Sequence, residues 1–372
     1  MAKVLDKAAE SGTIPPMFTP LTLRGMTLAN RVVMSPMCMY SAGNGAVDDF
    51  HLVHYGSRAV GGAGLVMTEM TGISPDGRIS LGCAGIWDDR HIAPWKRVTD
   101  FVHARTDARI AIQIGHAGRK GAQRLPWEGR AAPLDADKGW PLIAPSAIPF
   151  SDKDPVPKAM DEADIAQVID DFAAAARRAD AAGFDMVELH FGHGYLISSF
   201  ISPLSNRRND GWGGSLENRL RLPLAIFRAV RAALPEEKPV SARISAVDWA
   251  EGGTTAEDSV EIGRAFRAAG LDILDVSTGN VVAGGRPASE GLFQTPFSER
   301  IRREAGIPTM TVGNIRTAEE INDVLAAGRA DLCVMAKGQL FDPYFVRHAA
   351  YAQGYALPWP KPYARVAQFR PG

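Results

Sequence analysis

Ala181-Ala182-Gly183-Phe184-Asp185, Ala268-Ala269-Gly270-Leu271-Asp272 and Ala326-Ala327-Gly328-Arg329-Ala330-Asp331 are three versions of one junction. Each closes a segment of helical period with small residues and supplies a glycine for the helix C-cap. Each then opens an apolar, β-rich run with an aspartate. Outward from these junctions the same alternation covers the chain. Strand-like runs fall at 31–37, 64–70, 109–116, 186–193, 239–245, 271–279, 308–315 and 331–338. Helical segments fall between and after them at 51–60, 91–105, 161–182, 216–234, 256–269, 296–305, 317–327 and 342–353. Continuous apolar strands alternating with helices imply a parallel sheet buried on both faces. Eight such units suggest a closed (β/α)8 (TIM) barrel. The rival is a doubly wound open sheet, which usually carries Gly-x-Gly-x-x-Gly after its first strand; that position reads Ser35-Pro36-Met37-Cys38.

Two stretches exceed the minimal barrel. Residues 117–160, rich in Pro, Gly and Trp, form a long insertion after strand three, of a length typical of lids or small subdomains. Residues 355–372, with three prolines in Leu357-Pro358-Trp359-Pro360-Lys361-Pro362-Tyr363, are expected to be an extended C-terminal tail. The domain division is therefore a polar N-terminal extension at 1–16, a barrel at 17–354 and a tail at 355–372.

Composition narrows the function classes. The chain has 372 residues, 46% hydrophobic and 22% charged, which excludes disordered and fibrous types. A net charge of −1 gives no basic excess for nucleic acid or anionic lipid. No apolar run approaches the ~18 residues of a membrane span, and the polar start lacks the apolar core of an export signal. Three widely separated cysteines, Cys38, Cys83 and Cys333, argue against a disulfide framework or zinc cluster and for a reducing cytoplasm.

Barrel chemistry sits at the C-terminal ends of the strands. Strand one ends in Cys38, Met39 and Tyr40, strand three at His116, and strand four in His190-Phe191-Gly192-His193-Gly194-Tyr195. Two imidazoles three residues apart can donate to one substrate oxygen, and Tyr195 adds a neutral phenol able to give a proton. The competing readings are a structural histidine pair and a His-His metal site, for which no third ligand is evident. Cys38 is either an inert thiol or a site residue. Gln113 and Arg243 lie within apolar strands and need a polar partner, which a planar polar cofactor would supply. Gly313-Asn314 and Ala336-Lys337 follow strands seven and eight, where barrels hold phosphate.

These segments resemble the old yellow enzymes, the NADH:flavin oxidoreductases that act as ene-reductases, and most closely their bacterial YqjM and xenobiotic reductase A class. The resemblance runs from about Met17 to Arg365 and rests on four blocks. They are Ser35-Pro36-Met37-Cys38-Met39-Tyr40, Gln113-Ile114-Gly115-His116-Ala117-Gly118-Arg119-Lys120, His190 to Leu196, and Ser202 to Arg208 with Asp210 to Arg219. It implies non-covalent FMN, with NAD(P)H as electron donor and an activated alkene as oxidant. By matching position, Ser35, Pro36, Met37, Cys38 and Met70 line the flavin, and Gln113 and Arg243 bind its pyrimidine end. Gly313, Asn314, Ala336 and Lys337 hold the phosphate. His190 and His193 bind the substrate oxygen, Tyr195 gives the α-carbon its proton, Cys38 tunes the flavin, and Tyr40 contacts substrate. The tail matches a segment that reaches a neighbouring subunit's site, which makes Trp359 and Arg365 substrate-binding candidates and the chain a homo-oligomer. Departures are Met70 for a small residue, Ala336-Lys337 for Gly-Arg, and Trp212 for Tyr. Some members of the family reduce aromatic or enoyl-CoA thioesters instead. From the residues alone, a Schiff-base aldolase using Lys337 or Lys120 and a catalytically idle flavin-binding scaffold remain as alternatives.

Overall fold

In a computed structural model, which describes residues 14–129, 132–285 and 290–369, eight parallel strands close into a barrel. They are β1 (Val32–Met34), β2 (Leu65–Gly72), β3 (Arg109–Gly115), β4 (Met186–Phe191), β5 (Val240–Ser245), β6 (Ile273–Ser277), β7 (Thr309–Val312) and β8 (Leu332–Met335). β8 pairs with β1 to close the ring. The outer helices are α1 (Asp49–Val60), α2 (Ile92–Arg105), α3 (Glu162–Ala181), α4 (Arg221–Ala233), α5 (Ala256–Ala269), α6 (Thr295–Ala305), α7 (Ala318–Ala326) and α8 (Phe345–Ala352). The sequence expectation of a (β/α)8 barrel holds. Most of residues 1–16, the expected polar extension, lies outside the described residues.

The repeated junction now has a physical meaning. Gly183, Gly270 and Gly328 all take left-handed φ values, 85°, 96° and 64°, which let each helix stop and the chain turn into the sheet. The aspartate that follows ties its strand to the preceding one. Asp185 N–H donates to the Ile110 carbonyl while Ile110 N–H donates to the Asp185 carboxylate, both at 2.9 Å. Asp272 makes the same reciprocal pair with Val240, at 3.2 and 2.8 Å, and Asp331 with Thr309, at 2.8 and 3.0 Å. Three strand pairs, β3–β4, β5–β6 and β7–β8, are thereby fixed in register at their N-terminal ends.

The barrel interior is layered. An antiparallel hairpin, Leu21–Leu23 with Met26–Leu28, caps the N-terminal end. Its Leu23, Met26 and Leu28 pack on Val33, Leu65, Met67, Met186 and Met310 to form an apolar floor. One turn higher the inward residues become polar: Gln113, Glu188, Ser241, Arg243 and Asp275, all buried.

Several boundaries differ from the sequence reading. β1 ends at Met34, so Ser35 to Tyr40 form a loop rather than a strand end. The expected helix at 216–234 is two helices, Leu216–Arg219 and α4, because Pro223 has no N–H to give the Arg219 carbonyl. Short helices Leu196–Ile201 and Lys337–Phe341, unforeseen, follow β4 and β8, and the second stops just before Pro343. The tail is extended through Pro360, but Lys361–Gln368 winds into 3-10 turns, since Pro362 in the first turn forfeits no bond. The insertion is pinned down by buried Arg119, whose guanidinium donates to the carbonyls of Ile148, Pro149 and Val281.

Asp331→Ala is expected to lower the unfolding free energy by about 1.5–3 kcal/mol, the range for a charge-assisted hydrogen bond, with Asp331→Asn losing less. Urea denaturation checks this; an unchanged midpoint for the alanine variant would contradict the junction's role.

Candidate active site

His190 is the penultimate residue of β4 and is buried; its backbone partner across β5 is Arg243. The chain then turns sharply, with His193 at φ 60° and Gly194 at φ 72°. A left-handed histidine is strained and persists only where its surroundings enforce it. Here His193 N–H donates to Ser245 Oγ at 2.8 Å, and Lys120 Nζ donates to the His193 carbonyl at 2.7 Å. Gly194 N–H donates to Ser198 Oγ at 3.0 Å. The two imidazoles meet edge to face, centroids 5.0 Å apart, and the Tyr195 ring stands equally close to His190. Burial and then the Arg243 charge hold both imidazoles well below their ordinary pKa, so they are neutral. Burial raises Tyr195, so its phenol stays protonated.

Cys38 and Tyr40 pack together with Tyr195 against Met70, Ile79, Cys83 and Ala117. Tyr40 too is left-handed, at φ 52°. Burial pushes the Cys38 thiol up, and nearby Cys83 and Glu69 push it further, so it is no thiolate nucleophile. The loop is held from behind by Glu69, whose Oε2 accepts from Met39 N–H at 3.1 Å and whose Oε1 accepts from Tyr55 OH at 3.2 Å. Burial raises Glu69 to about 7.

Below the mouth, Gln113 Nε2 donates to Glu188 Oε1 and Ser241 Oγ to Oε2, each at 2.9 Å. Arg243 Nε lies 3.3 Å from Asp275 Oδ2, and its Nη1 is 3.5 Å from Ser35 Oγ. Burial, then the Asp275 charge, lifts Glu188 to about 8, and burial raises Asp275 as well; Asp275 is the carboxylate in ion-pair distance of Arg243. Buried Arg243 Nε and both Asp275 oxygens lack a geometrically good hydrogen bond, a polar layer built to meet more than itself. Past β7, Gly313 (φ 113°) and Asn314 (φ 55°) form a left-handed turn beside Ala336 and exposed Lys337. A carboxamide, a guanidinium and a cationic turn on one open barrel end fit the ring and phosphate of a flavin mononucleotide.

The structure thus gathers His190, His193, Tyr195, Cys38, Tyr40 and Met70 at the mouth, with Ser35, Gln113 and Arg243 alongside. It does not bring Trp359 to them: Trp359 lies under the Arg347 guanidinium, 4.2 Å from ring centroid to Cζ. Arg365 is exposed on the 3-10 segment. Lys120 is committed to two backbone carbonyls and Lys337 is exposed, so neither is the desolvated amine a Schiff base needs. Sequence reasoning missed Glu69, Glu188, Asp275, Ser245 and Ser277. For two of them the signal was available: Glu188 lies two residues before His190, and Ser245 two after Arg243, on the same strand faces.

A parallel barrel with a neutral histidine pair, a protonated phenol and this polar layer defines a flavin-dependent oxidoreductase. The chain belongs to the NADH:flavin oxidoreductase / NADH oxidase family, the old yellow enzymes, whose family model matches residues 16–354. It is 44% identical over 355 residues to an NADPH dehydrogenase of Geobacillus thermodenitrificans, covering 95% of this chain and 99% of that one. To an NADPH dehydrogenase of Listeria innocua it is 42% identical over 352 residues, covering 94% and 98%. The solved morphinone reductase superposes with a TM-score of 0.78 at 29% identity, covering 95% and 94%. The protein is an NAD(P)H-dependent oxidoreductase with FMN as its cofactor.

Proposed function

We propose that the protein is an ene-reductase that saturates the C=C bond of α,β-unsaturated carbonyl compounds. The observation that carries this reading is the neutral His190–His193 pair on one strand end with the Tyr195 phenol against it. FMN held at this end of the barrel would supply the hydride chemistry that links NAD(P)H to the substrate's β-carbon. His190 and His193 donate to the carbonyl oxygen and so draw charge from the alkene. Tyr195, kept protonated, gives its proton to the α-carbon. Arg243 and Gln113 would hold the ring's pyrimidine end, where Arg243 supplies a positive charge. Ser35, Pro36, Met37, Cys38 and Met70 line the ring, and Cys38 acts as a neutral contact that tunes it. Gly313, Asn314, Ala336 and Lys337 hold the phosphate, and Tyr40 contacts the substrate. A lysine there neutralises phosphate without arginine's bidentate fork. The names of the 40–44% identical relatives favour NADPH as donor. The free cysteines fit a reducing cytoplasm.

His190→Ala and His193→Ala are each expected to slow reoxidation of the reduced enzyme by 2-cyclohexenone about 10²–10³-fold, the effect of losing one oxyanion donor. Reduction by NADPH in the same stopped-flow experiment monitors folding and flavin loading. Parental reoxidation rates in both variants would refute the assignment. Cys38→Ala, in the same series, should retain FMN and shift its reduction potential; an abolished activity at unchanged potential would assign the thiol a covalent role.

We further propose that the chain forms a homo-oligomer, at least a dimer, through its tail. Tyr363 and Val366, 46% and 38% exposed, lie on one short 3-10 segment that also carries Arg365, and Phe369, 64% exposed, follows it directly; aromatic and arginine side chains are the types that anchor interfaces. Trp359 stacks on Arg347 at that segment's base, and on this proposal exposed Arg365 reaches the partner's substrate pocket. Truncation after Gly354 should lower the mass seen by light scattering and raise the KM for cyclohexenone. Unchanged mass and KM would contradict this.

A further inference from the structure

Beyond the histidine pair, an uninterrupted line of hydrogen bonds runs from the mouth into the barrel wall, and each member has its direction fixed. Gln294 Nε2 is 3.0 Å from the Val312 carbonyl, which can only accept, so the amide nitrogen faces that way. Gln294 Oε1 therefore accepts, from Ser277 Oγ at 3.1 Å and Thr278 Oγ1 at 3.0 Å. With its hydrogen given to Gln294, Ser277 Oγ accepts from His193 Nε2 at 2.6 Å. A neutral His193 protonated at Nε2 has a bare Nδ1, and this faces His190 Nε2 at 3.3 Å. His190 Nε2 carries the matching hydrogen, since its Nδ1 accepts the Gly192 N–H at 3.4 Å. Gly313 makes room for the amide: a Cβ there would fall on Gln294 Nε2.

This arrangement cannot bind a carbonyl oxygen with two donors. His190 can redirect its Nε2–H to the ligand, but His193 presents a lone pair. To donate, His193 must carry its proton on Nδ1. Its Nε2 then becomes an acceptor, and the adjoining group must become a donor. Ser277 is the one side chain in the line that can reverse: its hydroxyl turns from Gln294 to His193 Nε2. Gln294 Oε1 keeps the Thr278 hydroxyl and is not left unpaired. The proton count balances through water at the half-buried mouth, one water taking the Nε2 proton and another supplying Nδ1, with no change of charge.

We propose that Ser277, aimed by Gln294 and Thr278, is a positioning residue that sets the tautomer of His193 and so decides whether the pair donates once or twice to a bound oxygen. The inference rests on the ene-reductase reading only for the identity of the oxygen ligand. The FMN-loaded, oxidised protein labelled with ¹⁵N-histidine tests it, the imidazole two-bond ¹H–¹⁵N pattern reporting which nitrogen is protonated and His193→Asn assigning the signals. Free protein should show His193 protonated at Nε2, and saturation with 2-cyclohexenone should move the proton to Nδ1. Gln294→Met releases the Ser277 hydroxyl, so the Nδ1–H form should appear without ligand and the KM for cyclohexenone should fall, by up to about tenfold for one hydrogen bond. Ser277→Ala should populate both tautomers, and Ser277→Thr should restore the parental pattern. His193 protonated at Nδ1 in the free parent, or a tautomer unmoved in both the Met and Ala variants, would overturn the proposal. A cyclohexenone that fails to bind would instead refute the ene-reductase reading, while the free-protein spectra still decide the role of Ser277.

Discussion

A carboxylate at the base of three of the eight strands, β4, β6 and β8, holds this barrel in register. Asp185, Asp272 and Asp331 each exchange two hydrogen bonds with one residue of the strand before. In a sheet, a slip of one residue turns every side chain to the other face. With register fixed at the base, the alternation higher up follows without further choice. Glu188 and His190 share one face of β4. Ser241, Arg243 and Ser245 share one face of β5, and Asp275 and Ser277 one face of β6. Pairing then sets His190 beside Arg243, Arg243 beside Asp275, and Ser245 beside Ser277. The site is the upper part of an interior whose lower part is apolar.

The electrostatics follow from that layering. Low dielectric penalises isolated charge, and the site keeps few charged groups. Both histidines are neutral, Tyr195 and Cys38 stay protonated, and Glu188 is raised to about 8. Arg243 keeps its guanidinium beside Asp275. The result is a pocket of neutral donors above one buried cation, suited to a reaction in which negative charge builds on a substrate oxygen and on a reduced ring. Two left-handed residues, His193 and Tyr40, store backbone strain at that pocket. Each is clamped by a neighbour outside it, His193 by Ser245 and Lys120, and the Tyr40 loop by Glu69.

Much of this was legible in the sequence, for identifiable reasons. The barrel could be read because its strands are buried on both faces and its helices end in small residues and glycine, signals that do not depend on distant contacts. His190, His193 and Tyr195 could be read because they fall at a strand end. Glu69, Glu188 and Asp275 were passed over because they sit inside apolar runs, and of the three only Glu188, two residues before His190, shares a strand face with a site residue known from the sequence. Gln294, on the approach to α6, gave no local signal, since its role exists only once β6 and β7 are neighbours. The split at Pro223 was available from the missing N–H. The stacking of Trp359 on Arg347 was not, because it depends on how α8 lies against the tail.

On the function proposed above, one pocket takes electrons from a nicotinamide and gives them to an activated alkene. Anaerobic absorbance of the purified protein tests this most directly. A yellow protein should bleach on stoichiometric NADPH, then regain its full flavin spectrum on addition of 2-cyclohexenone with formation of cyclohexanone. A protein that bleaches but stays reduced in the presence of the enone would contradict the account.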